Sequence, residues 1–468
     1  MNVIVIVNDS MRADHVGYIG GKAKTPNIDK FAKEGTAFKT AYSESLPTLP
    51  TRTTWWTGKT NFPFRGWQKL EDWDYVLAEV LHTRGYTSAL MTDTYHMHEP
   101  ITNFGRGFDT VEFVRGNEYD KWIVDPKADC DTSKYYRFRG DFSDKVFKPM
   151  AEQYMRNISV RKGEEDYPSV QVIKEAMRWL DHVTKKQKDN LFLWVDCFDP
   201  HEPWDPPEPF WSMYGPKDYK GIHMIDPIPG PVKGYMSDSE LERLKALYAG
   251  DVSFCDKWVG IFLEHVKKLG IFENSVIMHT SDHGEPFGDH GIIRKAAPWN
   301  YTELVHIPWV IRHPKLGHGK SIKSIVQTTD MMPTILDALN IPTTLNAVMT
   351  LPVKQGVSPL SAKNEIEMDG YSLLPVMEGK VEKARDFAIM GHWGRSWAIK
   401  NEEWSYHIYF EDKRNDEMCD MLKMEKKREP ELFNLKEDWG EHKNVIDSNK
   451  EIAKQMELQL RRAVDNLK

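Results

Sequence analysis

The chain predicts an α/β fold: a parallel-rich central sheet flanked by helices, with a small C-terminal antiparallel-sheet subdomain and a closing helix. Three observations carry this. Short β-branched runs without polar alternation, such as residues 3–7 and 191–195, alternate with stretches of helical periodicity, as strands covered on both faces by helices require. Three of the strand-like runs end in acidic or histidine-bearing loops, at Asp9, Asp196 and Asp282–His283, which gathers polar groups on one edge of the sheet. Beyond about residue 375 the pattern changes to shorter runs and a charged amphipathic stretch.

Taken in order, residues 3–7 (Val-Ile-Val-Ile-Val) read as a buried strand ended by Asn8-Asp9. Residues 26–34 read as a helix with Ile28, Phe31 and Ala32 inward and a Gly35 stop. Residues 73–84 are helical in pattern with Gly85 closing them, and 86–92 form the next strand. A helix is expected over 171–188, then the strand 191–195. Long amphipathic stretches fill 237–269 up to Gly270, and 275–280 lead, strand-like, into Ser281-Asp282-His283-Gly284. Residues 308–311 give one more short strand. Strand-like runs recur within 386–412, and 446–467 read as the closing helix. The division this implies is a catalytic domain over 1–375 and an α+β subdomain over 376–468, with the loop-rich segment 342–370 expected to cross the mouth of the site. Internal repeats and low-complexity tracts are absent from the sequence.

At 468 residues the chain can bury a substantial core. A formal net charge of −8 with no basic stripe argues against nucleic-acid binding. No window has the length and apolarity of a membrane span, and the N-terminus lacks a charged leader ahead of a long apolar core. The four cysteines show neither metal nor redox spacing. A reduced, cytoplasmic protein is expected, with assembly into a homo-oligomer left open. Trp55, Trp56, Trp204 and Trp299 are candidates for lining an apolar or sugar-binding pocket.

An aspartate followed by a histidine at a strand end combines hard oxygen with borderline nitrogen, which suits Mn²⁺, Zn²⁺ or Mg²⁺. The segment Ser281-Asp282-His283-Gly284-Glu285 continues through Phe287-Gly288-Asp289-His290-Gly291 to Lys295. Elsewhere stand Thr48-Leu49-Pro50-Thr51-Arg52 with Thr57-Gly58, Gly107-Phe108-Asp109, Pro200-His201-Glu202-Pro203-Trp204, and Glu431-Leu432-Phe433-Asn434-Leu435. Together these resemble the signature motifs of the sulfatase branch of the alkaline phosphatase superfamily, from residue 3 to about residue 445.

The resemblance implies an alkaline-phosphatase-like scaffold and a metal shell of Asp9, Asp282, His283 and Thr48. Many members carry a second aspartate where this chain has Ser10. With one carboxylate fewer the shell favours Mn²⁺ or Zn²⁺, with Ca²⁺ or Mg²⁺ still possible, and resembles that of phosphonate monoester hydrolases and phosphodiesterases. Thr48 stands where the branch has a Cys or Ser that becomes formylglycine; threonine cannot give that aldehyde, so no formylglycine is expected. A threonine hydroxyl attacks only when a metal or base draws off its proton.

Arg52 matches the arginine that holds the nucleophile and the transferring oxyanion, and Lys59 a second cation. His96 matches the histidine of a Lys-x-His motif whose lysine is replaced here by Thr94. His201 matches a histidine that contacts substrate or protonates the leaving group, and Lys295 a lysine on a non-bridging oxygen. Asp199, His392 and Trp204 are expected at the substrate, while Glu303, Asp289 and His290 read as structural. The implied activity is metal-dependent hydrolysis of a small anionic ester, a phosphodiester or phosphonate monoester, through a phospho-threonine. The alternatives are a sulfuric ester hydrolase of arylsulfatase type and a catalytically impaired homologue that binds ligand.

Overall fold

Two sheets organise the computed structural model, which describes residues 1–99, 102–124, 130–342 and 366–467. The first half of the chain supplies β1 (Asn2–Asn8), α1 (Pro26–Lys33), β2 (Thr36–Tyr42), α2 (Thr48–Thr57), α3 (Leu77–His82), β3 (Thr87–Thr92) and β4 (Thr110–Phe113). After these come α4 (Asp144–Ile158), α5 (Pro168–Val183), β5 (Leu191–Cys197), α6 (Asp238–Lys268), β6 (Ser275–Thr280), β7 (His306–Arg312), β8 (Lys320–Gln327) and α7 (Met331–Ala338). The eight strands lie in the order β8-β2-β7-β6-β1-β5-β3-β4. All neighbours are parallel except at β7, which runs antiparallel to both β2 and β6.

Strand periodicity decides what covers each face. In β1 every residue is buried, and successive side chains point to opposite sides. Ile4 and Ile6 join the core with Phe31 of α1, Ile173 and Leu180 of α5, and Leu247 and Phe262 of α6. Val3, Val5 and Val7 join the other core with Trp55 and Trp56 of α2, Leu77 of α3 and Ile335 of α7. Each such aliphatic side chain contributes about 1.5–3 kcal/mol by leaving water. The expectation of helices on both faces is met.

The long helix α6 is a single unbroken element. Ser237 caps it by accepting from the Glu240 N–H, while the Glu240 carboxylate accepts from the Ser237 N–H at 2.9 Å. Gly270, at φ +72°, ends the run. Other expectations need correction. Residues 73–76 are not helical, because the Asp74 carboxylate accepts from the Glu71 N–H at 2.8 Å and from Arg65 at 2.6 Å and locks a turn. The strand expected at 308–311 is longer at both ends and is the one that reverses direction.

The small sheet comprises β9 (Phe387–His392), β10 (Ser396–Asn401) and β11 (Trp404–Tyr409); after α8 (Lys413–Leu422) it is completed by β12 (Glu431–Asn434). Its order is β9-β10-β11-β12, fully antiparallel. The closing helix α9 (Lys450–Asp465) buries Ala453, Met456, Leu460 and Val464 on one stripe against Ile399, Tyr406 and Leu432. Among the ties that bind this sheet to the larger part, two sets stand out. The Gly391 N–H donates to Glu44 O (2.9 Å) and the Leu46 N–H to Gly391 O (3.2 Å). Buried Glu441 pairs with Lys400 at 2.5 Å and His407 at 2.9 Å, and accepts from the Thr302 N–H at 2.7 Å. Most of the segment expected to cross the mouth, residues 343–365, lies outside the described residues. Among the described residues no helix is long and apolar enough to cross a membrane.

Candidate active site

Strand register assembles the centre. Val7 pairs with Asp196 on one side and Thr280 on the other, so Asp9 and Asp282, each two residues beyond its pair, emerge side by side. The turn after β1 is tied down there: the Ser10 N–H donates to Asp282 Oδ1 (3.0 Å) and the Met11 N–H to Ser281 Oγ (2.8 Å). His283 Nδ1 lies 2.8 Å from Gly284 O, which assigns the proton to Nδ1 and leaves Nε2 its lone pair. Nε2 stands 3.4 Å from Asp282 Oδ2 and 3.9 Å from Asp9 Oδ1. Donor atoms of Asp9, Asp282 and His283 all fall within 4.8 Å of one another.

Thr48 enters this cluster from the first residue of α2. Its Oγ1 is 3.3 Å from His283 Nε2. Its φ of +30° is costly for a β-branched side chain and is held by the surrounding structure. One helical turn on, Arg52 is fully buried. Its Nε and Nη2 donate to Asp196 (3.0 and 2.6 Å), Nη2 also to Asp9 (3.0 Å), and Nη1 to Asp282 (2.9 Å) and to Thr48 O (3.2 Å). Those contacts use all five N–H groups of a guanidinium. Arg52 therefore braces the carboxylates and the Thr48 backbone, and has no N–H left for the transferring oxyanion that it was expected to hold.

The charges in this centre do not close. Three buried carboxylates, Asp9, Asp196 and Asp282, face one guanidinium. Burial and the nearby Asp282 drive the Asp9 carboxyl well above its ordinary range. Burial also brings His283 down to about 4, so its ring stays neutral. A surplus of two negative charges, with two carboxylate oxygens, a neutral imidazole nitrogen and the Thr48 hydroxyl converging, fits one divalent cation of the Mn²⁺, Zn²⁺ or Mg²⁺ type.

The other expected residues divide. Lys295 is bound to Glu202 (3.1 Å) and Glu285 (2.7 Å); although burial opposes its charge, these two acids hold its pKa above the ordinary lysine value. His201 Nδ1 is 2.8 Å from Glu202 O, and burial carries the ring well below its usual pKa, so it is neutral with Nε2 open. His392 arrives from the end of β9, with Nδ1 3.2 Å from Asn300 Oδ1; burial, then Arg395 and His283, bring it down to about 3. His96 lies 3.4 Å from Glu118.

Others stay away. Lys59 follows the ten-residue helix α2, about 15 Å by helical rise from Thr48, and its Nζ is 4.0 Å from Glu367. Trp204 is wholly buried under its loop, its indole N–H donating to Pro200 O at 2.9 Å. Asp199 turns toward α5, its N–H donating to Ser169 Oγ at 3.4 Å. Trp55 and Trp56 are core residues, and Trp299 packs beneath the small sheet with Phe433. Asp289 pairs with Arg12 and His290 with Glu303, as structural ties. Sequence reasoning missed Glu118, Asp226, Glu285 and Arg294. Glu285 and Arg294 stood inside the segment running to Lys295, whereas Glu118 and Asp226 lie in loops without pattern.

Comparison with known proteins gives consistent results. The profile of the family described as Sulfatase matches residues 1–341. An arylsulfatase from Clostridium perfringens is 25% identical over 407 residues, 78% of each chain. A multifunctional alkaline phosphatase superfamily protein from Trinickia caryophylli is 24% identical over 437 residues, covering 81% of this chain and 77% of its own. Among solved structures, the phosphonate monoester hydrolase of Agrobacterium radiobacter superposes with a TM-score of 0.72 at 21% identity, covering 99% of this chain and 95% of that one.

Proposed function

Because this chain belongs to the sulfatase family, and so is an ester hydrolase, we propose that it cleaves phosphodiesters or phosphonate monoesters with Thr48 as nucleophile. The observation that carries the reading is the Thr48 hydroxyl, 3.3 Å from His283 Nε2 inside the metal-fitting cluster. Asp9, Asp282 and His283 would hold a divalent ion, which would supply positive charge to lower the hydroxyl pKa and offset charge on the ester oxygens.

In the first half-reaction Oγ1 bonds to phosphorus and the bond to the alcohol oxygen breaks, that oxygen leaving with the proton that Thr48 gave up. In the second, water adds to phosphorus, the bond to Oγ1 breaks, and Thr48 regains a proton. Arg52 fixes Thr48 through its carbonyl oxygen. Lys295 adds positive charge beside Asp9 and His283, but its three N–H groups are likewise taken, by Glu202 (3.1 and 3.2 Å) and Glu285 (2.7 Å). His201, neutral with Nε2 open, suits taking a proton from water more than giving one to the alcohol. Threonine has no second hydroxyl with which to expel sulfate, which favours phosphorus. The second reading, a sulfuric ester hydrolase, is supported by the family profile and the Clostridium arylsulfatase.

The deciding measurement is kcat/KM for a p-nitrophenyl phosphodiester against p-nitrophenyl sulfate, on one Mn²⁺-reconstituted preparation. A ratio far above one is expected. A ratio far below one makes sulfate the substrate class and overturns the reading.

A further inference from the structure

A buried relay of hydrogen bonds fixes the proton of one histidine beside the centre. Ser396 Oγ donates to the Pro298 carbonyl oxygen at 2.5 Å, so its lone pairs are left to receive the Asn300 amide N–H at 2.9 Å. The amide can then turn only its oxygen to His392, and Asn300 Oδ1 lies 3.2 Å from His392 Nδ1. An amide oxygen accepts and never donates, which assigns the ring proton to Nδ1 and leaves Nε2 an acceptor. Asn300 and Ser396 are wholly buried, so water does not compete for these bonds. Among the described residues nothing bonds to Nε2.

Its surroundings put this open acceptor at the ester-cleaving centre. Gly391, the residue before, pairs with Ser45 and is bonded to Glu44 and Leu46, so His392 stands beside the residues that lead into Thr48. Asn300 belongs to the segment that carries Lys295. The His283 ring is near enough that a charge on it acts on His392. On the outer side, Trp393 is half-exposed, which sets His392 between the centre and solvent.

We propose that His392 determines specificity for the departing alcohol. Its Nε2 accepts a hydrogen bond from a hydroxyl that this alcohol carries beside the ester oxygen, while Asn300 and Ser396 are positioning residues that keep Nε2 free of a proton. The inference rests on the reading of the Thr48 cluster as the ester-cleaving centre. A phosphodiester or phosphonate monoester is a singly charged anion at neutral pH and has no O–H on phosphorus, so the donor comes from the organic part. An alcohol without a donor covers Nε2 and leaves it unpaired, and is held more weakly for that reason.

The test compares 2-hydroxypropyl phosphate with propyl phosphate on the full chain reconstituted with diamagnetic Zn²⁺. Each is titrated by calorimetry and as an inhibitor of p-nitrophenyl phosphodiester turnover. The hydroxylated ligand is expected to bind at least about tenfold more tightly. His392→Asn keeps a donor to Asn300 and removes Nε2. It should reduce the preference to below about threefold while leaving the affinity for propyl phosphate unchanged, which also shows that the variant is folded. His392→Gln loses that donor but brings an amide oxygen toward the place of Nε2, and should keep more of the preference than His392→Asn. A purely structural role would give the reverse order. Should His392→Asn fail to fold, NMR of the ¹⁵N-histidine-labelled parent decides: one ring protonated at Nδ1 must respond at Nε2 to the hydroxylated ligand and not to propyl phosphate. Equal affinities, tighter binding of propyl phosphate, no measurable binding, a preference that survives in His392→Asn, or no responding ring overturns the proposal. Both ligands share one phosphate, so a failure of the phosphodiester reading appears in the turnover of phosphorus against sulfur esters, and a failure of this inference appears in the ratio of the two ligands.

Discussion

Thr48 is where the residue scale decides the chemistry. Thr48→Ala should lower kcat by at least about a thousandfold while metal content, read by plasma mass spectrometry, stays close to that of the parent. Full activity in that variant would show that another group attacks the ester. Arg52→Lys tests the bracing role. A lysine keeps the charge but loses the fork, leaving buried carboxylates short of donors, and should cost about 3–5 kcal/mol in urea unfolding. The motifs singled out Asp9, Asp282, His283 and Thr48, and folding brings these four together, each from a strand or helix end. For Arg52 the contact with Thr48 was legible, but not its bracing of three carboxylates, since a sequence does not say how many of its donors neighbours consume. Lys59 was misplaced because α2 carries it a full helix length away from Thr48. Glu118 belongs to no periodic pattern, and only folding brings it beside His201.

At the scale of elements, the buried strands β1, β5 and β6 were readable because parallel strands covered on both faces need unbroken apolar runs. Five strands, β2, β4, β8, β10 and β12, were not singled out, three of them for the opposite reason. β2 carries Lys39 among threonines, β8 alternates lysine and serine with isoleucine on the edge of the sheet, and β10 includes a buried lysine satisfied by Glu441. The reversal at β7 leaves no trace in composition, since a strand buried on both faces looks the same in either direction. The closing helix was legible from its apolar stripe. Leu460→Ala on that stripe should cost about 2–5 kcal/mol by leaving a cavity, measured as a shift in the urea midpoint.

For the molecule as a whole, two electrostatic devices govern stability. The first is the Asp9–Asp196–Asp282 surplus, which a bound divalent ion would relieve. At free ion about one hundred times its dissociation constant, that ion stabilises the fold by about 2.7 kcal/mol, so chelation should lower the unfolding midpoint accordingly. The second is Glu441, whose carboxyl is held below its ordinary range by Lys400 and His407 although burial opposes this. A depressed folded-state pKa gives stability that is complete above the unfolded carboxyl value of about 4.3 and lost as pH falls below it. Glu441→Gln should therefore flatten the fall in urea midpoint between about pH 5 and pH 3.

The rung between Gly391 and Glu44–Leu46 ties the placing of Thr48 to a sheet that contributes none of the three candidate metal ligands. Loosening of the C-terminal strands would unlatch the loop ahead of Thr48 while Asp9, Asp282 and His283 still gripped their ion. On a gentle denaturant ramp, catalysis should fade first and the metal depart later, so the enzyme would spend an interval loaded but idle.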